Sequence, residues 1–195
     1  MSASKVILTV LLVLVGLGVI GGGCAMSGYN KCVRLNEEVK SAWGKVETQL
    51  QRRYDLIPNA VEAVKGYAKH ESELFTRIAE ARTKYFQPGA SQNEKIESAN
   101  RLEGLLSRLL VLREQYPELK ANESFMKFQD TLEGTENRVS VERTRYNDAV
   151  KELNAYIKAV PGRFFAGLAG VQPAAYFEAQ EAGREAPKVD FTGTR

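Results

Sequence analysis

Two hydrophobic patterns meet near Tyr29. Before it, Val6 to Ile20 is apolar apart from Thr9, Gly16 and Gly18, and the uncharged stretch runs on through Gly21-Gly22-Gly23-Cys24-Ala25-Met26. Counted to Met26 this is about 21 residues, close to the ~20 that cross a bilayer core as a helix. Its strictly hydrophobic part, about 15 residues, is also the size of a signal-peptide core, with Lys5 as a one-charge leader. After Tyr29 the spacing becomes helical. Cys32, Val39, Trp43, Val46, Leu50 and Ile57 fall on three- and four-residue steps, with Asn36 and Arg53 filling two of them. The pattern resumes as Ile57, Val61, Val64, Ala68, Glu71, Phe75, Ile78, Arg82 and Tyr85, the stripe by which a helix packs on its neighbours. Pro58 lies inside that stripe and is expected to kink or divide the helix, because it removes a donor and crowds the preceding turn.

Gln87-Pro88-Gly89-Ala90 reads as a stop. A second helix follows, with Ser91 and Glu94 spaced as a capping box. Its core positions are Ile96, Leu102, Leu105, Leu106, Leu109, Leu110 and Leu112, and it ends near Tyr116-Pro117. A third helix is expected to begin just after Asn122 and run to Val160, where Pro161-Gly162 ends it. Its stripe is Phe125, Phe128, Leu132, Thr135, Val139, Glu142, Tyr146, Val150, Leu153, Ile157 and Val160. About 38 helical residues would measure ~57 Å. Beyond Gly162 come Phe164-Phe165-Ala166-Gly167-Leu168, a short helix candidate from Pro173 to Gln180, and a stretch from Gly183 to Arg195 with no helical periodicity. No strand pattern stands out. The expected fold is all-α: an N-terminal transmembrane helix (1–28), an elongated antiparallel bundle of three main helices plus a short C-terminal one (29–182), and a tail (183–195) with Val189 and Phe191 as docking residues.

Composition narrows the function. The chain has 195 residues, a formal net charge of +3, one His, two Cys and one Trp. The small, evenly spread charge excess gives no reason to expect nucleic acid. Cys24 and Cys32 make no disulfide framework. A zinc site around His70-Glu71 would need a second histidine at position 74, which is Leu74, and the chain has no other. No nucleophile elbow, phosphate-binding loop or acid–base constellation stands out, so neither an enzymatic activity nor a cofactor or small-molecule substrate is expected. Small residues before Cys24 make it a candidate lipidation site, although Gly21 stands where a Leu-like residue is usual. A secreted precursor, a lipoprotein precursor and a single-pass anchor all fit the segment. Basic residues Lys31, Arg34, Lys40 and Lys45 favour a cytoplasmic bundle, while the signal-like grammar favours an exported one. Both stay open.

The run Gln49-Leu50-Gln51-Arg52-Arg53-Tyr54-Asp55-Leu56-Ile57-Pro58-Asn59, continued by Val64-Lys65-Gly66-Tyr67-Ala68-Lys69-His70-Glu71, closely resembles the LemA family signature. So do Tyr29-Asn30, Ala42-Trp43, Tyr116-Pro117-Glu118-Leu119-Lys120-Ala121, Thr135-Glu136-Asn137-Arg138, Arg145-Tyr146-Asn147 and Val189-Asp190-Phe191, in family order. The resemblance implies a bacterial protein with one N-terminal membrane segment, a helical antiparallel bundle and no established catalytic activity. Some family members look like lipoproteins, with a cysteine just before the Tyr-Asn pair; Cys24 lies four residues ahead of Gly28-Tyr29-Asn30 and departs from that form. The family includes a magnetosome-membrane protein, and some family genes neighbour a membrane zinc metalloprotease. By analogy this suggests a scaffold at the bacterial cytoplasmic membrane, forming homo-oligomers or binding other membrane proteins, or else an adaptor of a membrane protease or other envelope quality-control machinery.

The motif residues Arg52, Arg53, Asp55, Pro58, Asn59, Glu136 and Arg138 have two readings. In the structural one, Asp55 and Asn59 take up backbone groups freed by Pro58. Antiparallel packing brings the two motifs level and makes Glu136 the partner of Arg53, a buried polar pair that fixes register more than it stabilises. In the other, they form a docking surface for a protein or lipid headgroup.

Overall fold

The structure, a computed structural model, describes residues 3–178, and among them all regular structure is helical. The order is α1 (Ala3–Lys65), α2 (Ser72–Tyr85), α3 (Gln92–Gln115), α4 (Glu123–Lys158) and α5 (Gly162–Ala169). Single 3-10 turns at Lys69–Glu71 and Pro117–Ala121 precede α2 and α4. The chain is thus an all-α bundle with a long apolar helix at its N-terminus. It forms two compact units. One takes α1 up to Val46 and the chain from Glu142 to Tyr176; the other takes the chain from Glu47 to Val141, with Phe177 and Glu178.

The second unit is an up-down-up-down four-helix bundle of the end of α1, α2, α3 and the start of α4. The directions follow from the pairs that meet. Tyr54 stacks at 4.5 Å on Tyr85, Lys95 pairs with Glu47, and Arg113 donates to Gln129 at 2.7 Å. Leu50, Ile57 and Val64 of α1 are buried with Ile78 of α2, Leu102, Leu106 and Leu109 of α3, and Phe125, Leu132 and Val139 of α4. Each such aliphatic or aromatic side chain contributes about 1.5–3 kcal/mol on leaving water.

Local signals set the helix limits. Ser91 and Glu94 form the expected reciprocal capping box at the head of α3, and its hydrogen bonds from Ser91 hold the Glu94 carboxyl below its ordinary range. At the head of α4 the Asn122 side chain accepts from the Phe125 amide at 2.9 Å, which caps the helix.

The first unit is built on an antiparallel pair. Cys32, Leu35, Val39 and Val46 of α1 and Tyr146, Val150, Leu153 and Ile157 of α4 are all buried, at the three- and four-residue steps of a coiled-coil seam. Trp43 meets Tyr146 edge-on at 5.4 Å. At the far end the Tyr156 hydroxyl donates to the Gly28 carbonyl at 2.7 Å. Helix α5 ends on Gly170 at φ +64, a left-handed cap, with the Val171 amide returning to the Ala166 carbonyl. The chain then runs extended along α4. Buried Asn154 holds it as a neighbouring strand would: its side-chain amide donates to the Ala174 carbonyl at 2.9 Å and accepts from the Ala174 amide at 3.0 Å. Two turns back along the seam, Tyr146 donates to the Ala175 carbonyl at 2.6 Å. Burial pushes the Tyr146 phenol up to about 12.

Two sequence expectations need correction, and a third is untested. Helix α1 is not divided at Pro58 but runs on to Lys65. Ile57, Ala60 and Val64 are buried on the opposite side from the exposed proline, so tertiary burial outweighs one lost donor. The break falls instead at Gly66–Ala68, and α2 doubles back. The short helix is Gly162–Ala169, not Pro173 onward, where Asn154 and Tyr146 bind the backbone and leave it no helical partners. The proposed tail, with Val189 and Phe191, lies outside the described residues.

Because the ring of Pro58 is exposed in a helix that tolerates it, Pro58→Ala should raise stability by about 1–3 kcal/mol. Thermal unfolding of the full chain in detergent would register this as a higher midpoint. An unchanged or lower midpoint would mean that the proline fits a bend the helix requires.

Candidate functional site

In the second unit, consecutive arginines of α1 point apart, as the ~100° step between helical neighbours demands. Arg52 is exposed, whereas Arg53 turns inward and is 4% exposed. Its Nη2 lies 2.6 Å from Oε2 of Glu136 on α4, whose side chain is 37% exposed. The Arg53 Nε has no hydrogen-bond partner. The pair borders a groove of about 410 Å³ between α3 and α4, lined also by Glu103, Leu110, Glu133 and Asn137. With three carboxylates to one guanidinium, that groove is acidic. Its one hydroxyl side chain, Ser107, bonds to the Glu103 carbonyl at 3.0 Å within its own helix, as a mid-helix serine commonly does.

The other motif residues lie apart. Asp55 accepts from Gln51 at 2.9 Å, a turn earlier on the surface, and not from backbone near Pro58. Pro58 and Asn59 are exposed. Asn59 lines a different groove, of about 550 Å³, with Glu62, Asn122 and Lys127. Arg138 is exposed on α4. Cys24 is a free, exposed thiol inside α1; Cys32 is free and buried, and burial raises its pKa. His70 is exposed, and no group of three or more His, Cys, Asp or Glu able to hold a metal occurs among the described residues.

Sequence reasoning passed over several side chains that organise the fold. Asn154 sits beside Leu153 on the buried stripe of α4, and a polar residue at a seam position was the available signal. Tyr54, Tyr85 and Phe86 form an aromatic cluster. The hydroxyls of both tyrosines are buried without a partner, and desolvation raises both pKa values.

Arg53, Glu136, Tyr146 and Asn154 all fall within residues 42–191, which the profile of the LemA family matches. The chain belongs to the LemA family. Its similarity extends to Magnetosome protein MamQ 2 of Paramagnetospirillum magneticum, 24% identical over 180 residues that cover 80% of this chain and 66% of that protein. Protein LemA of Metamycoplasma hominis is 22% identical over 155 residues, covering 80% and 71%. Magnetosome protein MamQ of Magnetospirillum gryphiswaldense is 22% identical over 180 residues, covering 80% and 66%. The chain thus spans about two thirds of the length of the MamQ relatives. The LemA-family region begins after an apolar run on α1 that is exposed throughout: Leu11 to Val15, Leu17, Val19 and Ile20 have no protein covering them. Together these make the chain a membrane-associated helical protein of the LemA family.

The Arg53–Glu136 pair should be asymmetric. Glu136→Gln strands a buried guanidinium and should cost about 2–4 kcal/mol. Arg53→Met leaves a partly exposed carboxylate that can turn to water, and should cost only about 0–2 kcal/mol. Denaturant unfolding of both variants and the double variant would test this; equal losses with no coupling would remove the pair from any role in register.

Proposed function

We propose that this LemA-family chain is a non-enzymatic, membrane-anchored bundle that organises proteins at the bacterial cytoplasmic membrane. The observation that carries the reading is the unbroken course of α1. One helix leads from apolar side chains without protein partners to a buried coiled-coil seam, with no linker between them. An anchor joined this way fixes the seam of the first unit at a set distance from the bilayer, which suits a scaffold. The motif residues support the same reading, because Arg53, Glu136 and Tyr146 are engaged in internal contacts. Relatives that carry the name magnetosome protein favour assembly over chemistry. The exposed residues Arg52, Asp55, Asn59 and Arg138 are then the surface offered to partners.

Crosslinking of the full chain in native membranes, followed by purification, tests this. Ladders of homo-oligomers are expected. Recovery of a single chain with a membrane zinc metalloprotease, and no self-association, would replace the scaffold by an adaptor.

A further inference from the structure

Helix α5 has two faces. Gly162, Phe165 and Ala166 are buried, whereas Phe164 and Leu168 are 66% and 64% exposed, and Val160 just before the helix is 90% exposed. Phe164 and Leu168 lie four residues apart in α5, the spacing that aligns side chains along one side of a helix, and Val160 stands exposed in the turn that leads into it. Single exposed apolar residues are ordinary on a protein surface. Two on one face of a short helix, with a third in the turn before it, call for something to cover them.

The position of α5 says what that is. The Phe165 ring packs directly on Gly28, where a β-carbon would collide with it. The Tyr156 hydroxyl bonds to the Gly28 carbonyl beside it. Gly28 in turn closes the apolar run of α1, since no charged residue stands between Lys5 and Lys31. About 20 helical residues fill the ~30 Å hydrocarbon core. The uncharged stretch exceeds that only slightly, so Gly28 emerges in the headgroup layer and α5 lies beside it.

The charges agree. Lys158 and Arg163 are the only charged residues between Glu152 and Glu178, and Lys31 and Arg34 the only ones between Lys5 and Glu37. Lys31 reaches over the Tyr156 ring, 5.1 Å from its centre. The end of the unit that surrounds the exit of α1 is therefore cationic with an apolar edge, the composition of an element that rests on anionic lipid.

We propose that α5 is an interfacial helix, with Val160, Phe164 and Leu168 inserted at the headgroup–acyl boundary of the bilayer that α1 spans. A lipid surface is favoured over a second copy of the chain for two reasons. The apolar row continues the exposed surface of α1, and a helix of eight residues presents far less area than a stable protein interface buries. The inference rests on α1 being a membrane anchor, and the experiment separates the two.

The full chain in vesicles containing phosphatidylglycerol is compared in two single-tryptophan forms, Trp43→Phe with Phe164→Trp and Trp43→Phe with Leu14→Trp, each checked for helicity. The lipids are brominated either high in the acyl chain or near its end. The expected result is loss of emission at position 164 mainly with bromine high in the chain, and at position 14 mainly with bromine near the bilayer centre. Quenching at 14 with solvent-like, unquenched emission at 164 would overturn the proposal alone. Blue-shifted but unquenched emission at 164 would also overturn it, by showing protein as the cover. Absence of quenching at both positions would overturn the anchor and the proposal together. Should Trp43→Phe fail to fold, Phe164→Trp in the otherwise unaltered chain, read as a difference from the Trp43 signal, gives the same decision.

Discussion

At Gly28 the surroundings of α1 change from open exposure of apolar side chains to packed protein. N-terminal to it the apolar side chains are exposed. From Cys32 onward a side chain at nearly every third or fourth position is buried. The change takes place within one turn, and a residue without a side chain makes it possible, because the Phe165 ring occupies the space that a β-carbon would need. Tyr156 then satisfies the Gly28 carbonyl from the side. Helices α4 and α5 thus both meet α1 at Gly28, one turn before the buried seam begins at Cys32.

The family signature acquires a physical meaning from such contacts. Its polar members do not converge on a reaction centre. Arg53 and Glu136 join α1 to α4 across the second unit, and Tyr146 anchors the extended segment that follows α5. Asn154, outside the quoted motifs, does the same with two hydrogen bonds to the backbone of one residue, Ala174. Apolar seams tolerate slippage, whereas a buried guanidinium or carboxamide is satisfied in one register only. The buried polar members of the signature thus differ from its exposed ones, Arg52, Asp55, Asn59 and Arg138, of which Asp55 bonds within its own helix.

How far the sequence could be read depended on how local each cause was. The cap of α3 is written in Ser91 and Glu94, and the start of α4 in Asn122; both need only neighbours in sequence. The apolar run at the N-terminus and the stripes of α3 and α4 were equally plain. Of the kink or division expected at Pro58, the division does not occur, because the local penalty is smaller than the burial of Ile57, Ala60 and Val64 around it. Only the fold reveals that burial. Gly66 carried the true break but lies in a continuous stripe from Val64 to Phe75. The segment from Pro173 had helix-forming alanines, yet its backbone is taken by side chains some 20 positions earlier, a long-range cause that no window detects. At the candidate site the partner of Arg53 was traceable from antiparallel packing alone. The roles of Asp55 and Asn59 were not, since their orientation depends on α1 staying whole through Pro58.

An unbroken α1 has a mechanical consequence. A helix without a hinge between its apolar run and its seam acts as a lever: with the run in a bilayer, as proposed, the first unit would tilt whenever the run did. Transmembrane helices tilt to match the thickness of the hydrocarbon around them. A change in lipid length would thus reorient the first unit relative to the membrane plane. Every surface of the first unit would turn by the same angle, so that bilayer thickness would set the direction in which the unit faces.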